Sequence, residues 1–192
     1  MLTLTWKDWW FCLRWTLATA ITLGGSIWLG ERAFLVGPIL LAIAQGLALV
    51  GYWRRAIYWA IATLLGSYLT VMAFLGMLIL SFRMGSMPES LVFRESLLAF
   101  LICGTLLGLP QAFVLDRVSR FWRWWPLASG ITWLISVGWF FTFASNSSLF
   151  HHFGGLWQTI IQIAVCGLIG GMLKGLALVW FLKQTPRPSA GR

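Results

Sequence analysis

Apolar residues run along this chain in long unbroken stretches, not in the alternation that a half-buried strand requires. Stretches near 10–29, 33–52, 56–80, 91–115, 124–145 and 155–182 each supply the roughly 20 apolar positions a helix needs to cross a hydrocarbon layer. Polar residues are confined to the short breaks between them. The pattern predicts an all-α, polytopic transmembrane bundle of six helices over residues 1–183. A short disordered tail follows over 184–192, where Pro186 and Pro188 oppose further helix. The breaks are too short to house an aqueous active site of their own.

Composition agrees with this pattern. Of 192 residues, 59% are hydrophobic and 10% charged, and the mean hydropathy is +0.83. A soluble domain usually carries about 25% charged residues, so there is too little polar surface here to cover a water-soluble particle. The 14 Trp residues suit a chain that meets two headgroup interfaces, where the indole ring is apolar and its N–H stays wet. Cys12, Cys103 and Cys166 lie inside apolar stretches and form no CxxC pair, so neither a disulfide framework nor a zinc site is indicated. Arg14 interrupts the first apolar stretch, and Lys7 is followed by Asp8. The first helix is therefore read as retained, not as a cleaved signal.

Charge then sets orientation. The net charge of +9 is not a nucleic-acid footprint, because the basic residues sit in short loops between apolar stretches. With six spans both ends lie on one side. That side carries Lys7, Arg14, Arg54, Arg55, Arg117, Arg120, Arg123, Lys183, Arg187 and Arg192; the other carries Arg32, Arg83 and Arg94. The positive-inside rule makes the side with the termini cytoplasmic.

The most informative feature is self-similarity. Gln45-Gly46-Leu47-Ala48-Leu49-Val50 matches Lys174-Gly175-Leu176-Ala177-Leu178-Val179, and Gln111-Ala112-Phe113-Val114-Leu115 lies between them. With Gln45, Gln111 and Lys174 as one column, the position nine later is Arg54, Arg120 and Lys183. Three earlier stand Ala42, Gly108 and Gly171; one later, Gly46, Ala112 and Gly175; seven earlier, Pro38, Gly104 and Gly167. Positions four apart share a helix face. In every copy that face is small, the pattern that lets transmembrane backbones approach closely. A second element, Trp-x-x-Ala-[Ser/Thr], occurs at Trp15/Ala18/Thr19, Trp59/Ala62/Thr63 and Trp125/Ala128/Ser129. One repeat is thus a small-faced helix, a basic turn and a Trp-led helix. Helices two and three make one copy, and four and five another. Helices six and one would complete a third, giving a bundle with approximate threefold symmetry.

The run Ala44-Gln45-Gly46-Leu47-Ala48-Leu49 to Arg54-Arg55, followed by Trp59, resembles the Gly-x-x-Gln-Trp-x-x-Leu-Arg…Trp-Trp-x-x-Ala repeats of small cyanobacterial multi-pass membrane proteins. Leu107 to Trp125 and the ending from Gly175 to Lys183 are similar to it as well. The Trp that usually follows the Gln is Gly46 here and Ala112 in the next copy, and Lys174 replaces the third Gln. The resemblance implies a thylakoid or plasma-membrane location and carries no settled activity.

Candidate chemistry is sparse. Gln45, Gln111 and Lys174 are polar at membrane depth. They are read as interhelical hydrogen-bonding groups, with a ligand-binding ring as the alternative, and Lys174 is expected to snorkel toward the cytoplasmic interface. Arg14 would likewise reach for phosphates. Arg94 and Glu95 are adjacent and shallow, an interfacial ion pair. His151 and His152 are the candidate pigment ligands. Two sequential His seldom hold one ion without a third ligand, so no metal site is assigned, while one chlorophyll could be held through its magnesium. Pro38 and Pro110 fall within spans. No nucleophile–base set, metalloprotease motif, phosphate loop or dinucleotide fingerprint is present, and the few acids do not form a pair, so no catalytic residue is assigned. The leading expectation is a non-catalytic accessory or scaffold subunit of a larger membrane complex, photosynthetic by the resemblance, holding chlorophyll, carotenoid or lipid and other membrane subunits. The alternative is a small transporter or the substrate-binding membrane subunit of a vitamin-type importer. A sensor or anchor acting through other chains is the third.

Overall fold

The computed structural model describes residues 3–84, 89–139 and 155–183, and regular structure among them is helical throughout. Helix α1 (Trp6–Ser26) starts where Thr5 is still extended. The Thr5 backbone N–H and hydroxyl donate to the Asp8 carboxylate at 2.6 and 2.7 Å, closing a capping box on the first turn. A 3₁₀ stretch, Ile27–Arg32, then leads into α2 (Ala33–Leu49). Within it Gly30 adopts φ 54°, ψ −128°, a conformation that a Cβ would make costly. There the chain reverses, so that Thr19 of α1 lies beside Gln45 of α2 and Arg14 beside Leu47.

Further along come α3 (Ala56–Met84), α4 (Glu89–Leu115), α5 (Trp125–Trp139) and α6 (Gly155–Lys183). The turn from α2 to α3 uses Gly51 at φ 83°. Pro38 and Pro110 lie inside α2 and α4. Four helical segments among the described residues are long and apolar enough to cross a membrane: Trp6–Leu49, Ala56–Met77, Leu97–Leu115 and Gly155–Lys183. The protein is therefore an all-α integral membrane protein with four such segments, where hydropathy along the chain predicts six spans. Two features account for the difference. Helices α1 and α2 follow one another directly through the 3₁₀ stretch, kinked at the non-helical Gly30, and together make up the single segment Trp6–Leu49. Helix α5 is described over Trp125–Trp139, and the rest of its stretch, 140–145, lies outside the described residues.

The helices pack in chain order, α1 on α2, α2 on α3, α3 on α4, α4 on α5 and α5 on α6, and α6 also packs along α1. The arrangement is a closed ring. Its exterior is apolar: Ile21, Phe113, Leu35, Ile57 and Met72 are all more than 60% exposed, the reverse of a soluble surface and the expected face toward lipid tails. Exposed Trp residues sit at both ends of the ring. Trp6, Trp10, Trp124 and Trp180 lie toward the chain ends, and Trp28 and Trp157 pair edge to face at the opposite end, 5.2 Å between centroids.

Candidate functional site

Three polar side chains that three different helices carry at membrane depth point into the ring. Gln45 on α2, Gln111 on α4 and Lys174 on α6 are all buried. The glutamines belong to one directional chain of hydrogen bonds across five helices. The Trp125 indole N–H donates to Gln111 Oε1 at 3.0 Å. Gln111 Nε2 donates to the Thr63 hydroxyl at 2.8 Å. Thr63 donates to Gln45 Oε1 at 3.4 Å, and Gln45 Nε2 donates to the Thr19 hydroxyl at 3.4 Å. Thr19 ends the chain on the Trp15 carbonyl at 2.9 Å. Side chains of α5, α4, α3, α2 and α1 are thus joined in reverse chain order, each amide or hydroxyl both giving and receiving, and water is not needed to satisfy them.

Lys174 is where the chain of bonds stops. Its ammonium has no hydrogen-bond partner and lies 5.8 Å from the Trp125 ring centroid, within cation–π reach. It does not snorkel. The stem stays inside, its ammonium over the Trp125 ring of α5, while Gly171 and Gly175 of the same helix pack on α1. A lysine in mid-helix costs about 3 kcal/mol to insert, so one held inward without an acceptor is a conspicuous site. The indole N–H groups of Trp15 and Trp59 and the Ser129 hydroxyl are likewise buried without partners. The Arg14 guanidinium donates to the Leu47 carbonyl at 2.9 Å and so caps the end of α2.

About one helical turn nearer the chain ends lies an aromatic layer. Trp15, Trp59 and Trp125 are completely buried. Trp59 meets Trp15 and Trp125 edge to face at 5.8 and 5.4 Å, and Trp125 meets Phe181 at 5.4 Å, the arrangement ring quadrupoles favour. Leu49, Leu115 and Leu178 fill the layer with no exposure. Beyond it an ionic clasp joins the chain ends. Asp8, buried, accepts from Lys183 and, at 2.7 Å, from the Tyr52 hydroxyl. Lys183 also donates to the Thr3 carbonyl at 3.0 Å. Burial and the bond to Asp8 push the Tyr52 phenol well above its usual pKa, so it remains a donor at any physiological pH.

The small residues sit at helix contacts. A Cβ on Gly46 would meet Ala60 at 2.9 Å. One on Gly108 would meet Pro126 and Ser129 at 2.8 Å, and one on Gly171 would meet Thr16 at 3.0 Å and Thr19 at 3.2 Å. Gly104 faces Gly130 and Trp133, and Gly167 faces Ala20 and Leu23. Counted from Trp125 and Trp15, the contacted positions have the same offsets in both cases. Gly175 approaches Trp15 at 3.2 Å, and Ala42 is buried.

On the side of the polar layer away from the chain ends, the ring holds a cavity of about 60 Å³ lined by Lys174, Gln45, Thr19, Ser136, Cys166 and apolar neighbours. Leu23, Leu41, Leu107 and Trp133 are shared with a second cavity of about 140 Å³, which reaches Ser26, Ala33 and Gly37. These last residues flank the α1–α2 reversal, so the pair of cavities leads toward the end opposite the termini.

The side chains of Arg94 and Glu95, and all of His151 and His152, lie outside the described residues. Thr19 and Thr63 were visible beforehand only as the last position of the Trp-led motif, and Asp8 only as the acid that follows Lys7. Comparison with protein-family models, with curated proteins and with solved structures finds no match.

Proposed function

We propose that this protein is a non-catalytic accessory subunit of a larger membrane assembly. On this reading the chain crosses the bilayer six times with both termini in the cytoplasm, and three copies of a two-helix unit form the ring. The like offsets at Gly104 and Gly167, and the packing of α6 along α1, support the three-copy reading. The observation that carries the function is the packed interior. Trp15, Trp59 and Trp125, packed with Leu49, Leu115 and Leu178, are fully buried across the bundle, and the glutamines and threonines above them bond helix to helix. A packed ring with an apolar perimeter suits docking of helices, lipids, carotenoids or chlorophylls. The resemblance of its repeats to cyanobacterial membrane proteins favours a photosynthetic membrane.

Gentle solubilisation followed by mass spectrometry of everything that accompanies the chain tests this. Membrane subunits or pigments in fixed stoichiometry are expected; isolation as a bare monomer sinks the proposal. The second reading, a substrate-binding membrane subunit, rests on the blind cavity that ends at Lys174. Association with an ATP-driven module would select it.

A further inference from the structure

The ring of interior hydrogen bonds is open at one helix. Five helices contribute a partner to the chain from Trp125 to Thr19; the sixth contributes Lys174, which can only donate and has nothing to donate to. Gln111 accepts from Trp125, whereas Lys174 offers no acceptor, and the indole N–H of Trp15, the tryptophan of the corresponding Trp-led motif, is also left without a partner. A buried ammonium facing a cavity asks for an anionic acceptor.

We propose that the cavity beneath Lys174 binds a small organic carboxylate. At the polar end of the cavity two side chains have hydrogens left to give, and no charged acceptor among the described residues receives them. Lys174 supplies its ammonium, and Gln45 has a second amide hydrogen beyond the one given to Thr19. The Thr132 and Ser136 hydroxyls already donate to carbonyls of their own helix, at 2.8 and 2.7 Å, and can only accept. Among the described residues no acidic side chain lines either cavity. The walls running away from Lys174 are mainly apolar, with Leu23, Leu41, Leu107 and Trp133 shared by both cavities and the Thr22, Ser26, Ser67 and Thr70 hydroxyl residues also along the outer one. An apolar cavity of roughly 150 Å³ admits a benzene-sized ligand, so the outer cavity of about 140 Å³ takes an apolar body of similar size. The ligand enters from the end opposite the termini, carboxylate first, and stops at the aromatic layer. The inference rests on the cavity and holds whether the chain is a scaffold or a substrate-binding subunit.

The test uses the full chain in lipid nanodiscs, titrated with sodium hexanoate against empty nanodiscs. Hexan-1-ol serves as the neutral probe and sodium nitrate as the bare anion. Saturable hexanoate binding by calorimetry and a raised melting temperature are expected, with neither from hexan-1-ol or nitrate at equal concentration. Lys174→Gln restores the residue type of the other two copies, so it should fold, melt at or above the wild-type temperature without ligand, and bind hexanoate about tenfold or more weakly, the loss expected for one charge-assisted hydrogen bond. Lys174→Met should lose binding to the same extent. Equal hexanoate affinity in wild type and Lys174→Gln overturns the proposal. So does equally tight hexan-1-ol, full stabilisation by nitrate alone, or no saturable binding to the wild type. None of these outcomes bears on which subunits copurify, so the two proposals fail separately.

Discussion

At the scale of single residues, polar groups inside this bundle divide by whether their bonds leave their own helix. Thr63 takes a hydrogen from Gln111 and gives one to Gln45, joining α4, α3 and α2. Thr105 gives its hydrogen to Leu101 one turn back on α4. Both become valine at almost constant volume. Thr63→Val strands two buried amides and is expected to cost about 1–2 kcal/mol, whereas Thr105→Val changes stability by only a few tenths of a kcal/mol, since its carbonyl partner keeps its helical bond. Melting temperatures of the two variants in one detergent check the order, and equal values would mean the interhelical chain contributes nothing. The glutamines were readable as packing groups because a repeated polar residue beside a repeated small face implies a shared environment. Their partners were not, because a threonine can satisfy itself on its own helix as readily as across a gap.

Helix pairs are held by what is missing from their faces. At Gly167 a Cβ would stand 2.7 Å from the Ala20 Cα, and at Gly104 it would stand 2.7 Å from the Trp133 Cβ. The obstacle at Gly167 is backbone, which cannot rotate away. Gly167→Ala should therefore separate α6 from α1 and cost about 1–3 kcal/mol, the usual penalty of overpacking. Gly76→Ala has nothing within 4 Å to meet and gains helix propensity, so it should be neutral or slightly stabilising. Thermal unfolding of both variants separates the readings: equal behaviour would show that small residues here serve helix flexibility and not close approach. Small-residue spacing on α4 and α6 was plain in the chain. Which helix each face would meet was not, since any neighbour with a flat surface satisfies the same spacing.

For the whole molecule, the ring and the meeting of Asp8, Lys183 and Thr3 put the start of α1, the close of α6, the α2–α3 turn and the α4–α5 turn at one end. Six crossings then demand a specific labelling pattern. In a background with Cys12, Cys103 and Cys166 replaced, Arg54→Cys and Arg120→Cys should react with a membrane-impermeant maleimide from the same side as cysteines at the two termini, and Glu31→Cys from the other. A terminus and Arg54→Cys labelling from opposite sides would remove the six-crossing reading, because α1 and α2 would then cross as one segment. Residue counting alone cannot separate these cases: the apolar stretch Trp6–Leu49 is long enough for one or two crossings, and the reversal at the non-helical Gly30 makes it a hairpin.

Membrane residence and helical class followed from order and composition alone, because a bilayer accepts only chains whose backbone polar groups are satisfied locally and whose side chains are apolar over long runs. The repeated small faces were local properties too, legible at fixed spacing along one helix. The fate of Lys174 was not of that kind. Its stem was long enough to reach the interface or to stay inside, and the choice fell to the packing of α6 on α1 and the ring of Trp125 waiting across the gap. The same holds for Asp8, whose partners come from the far end of the chain and from a turn between two other helices. Contacts between distant positions depend on how helices are arranged around one another, and that arrangement exists only once all of them have packed.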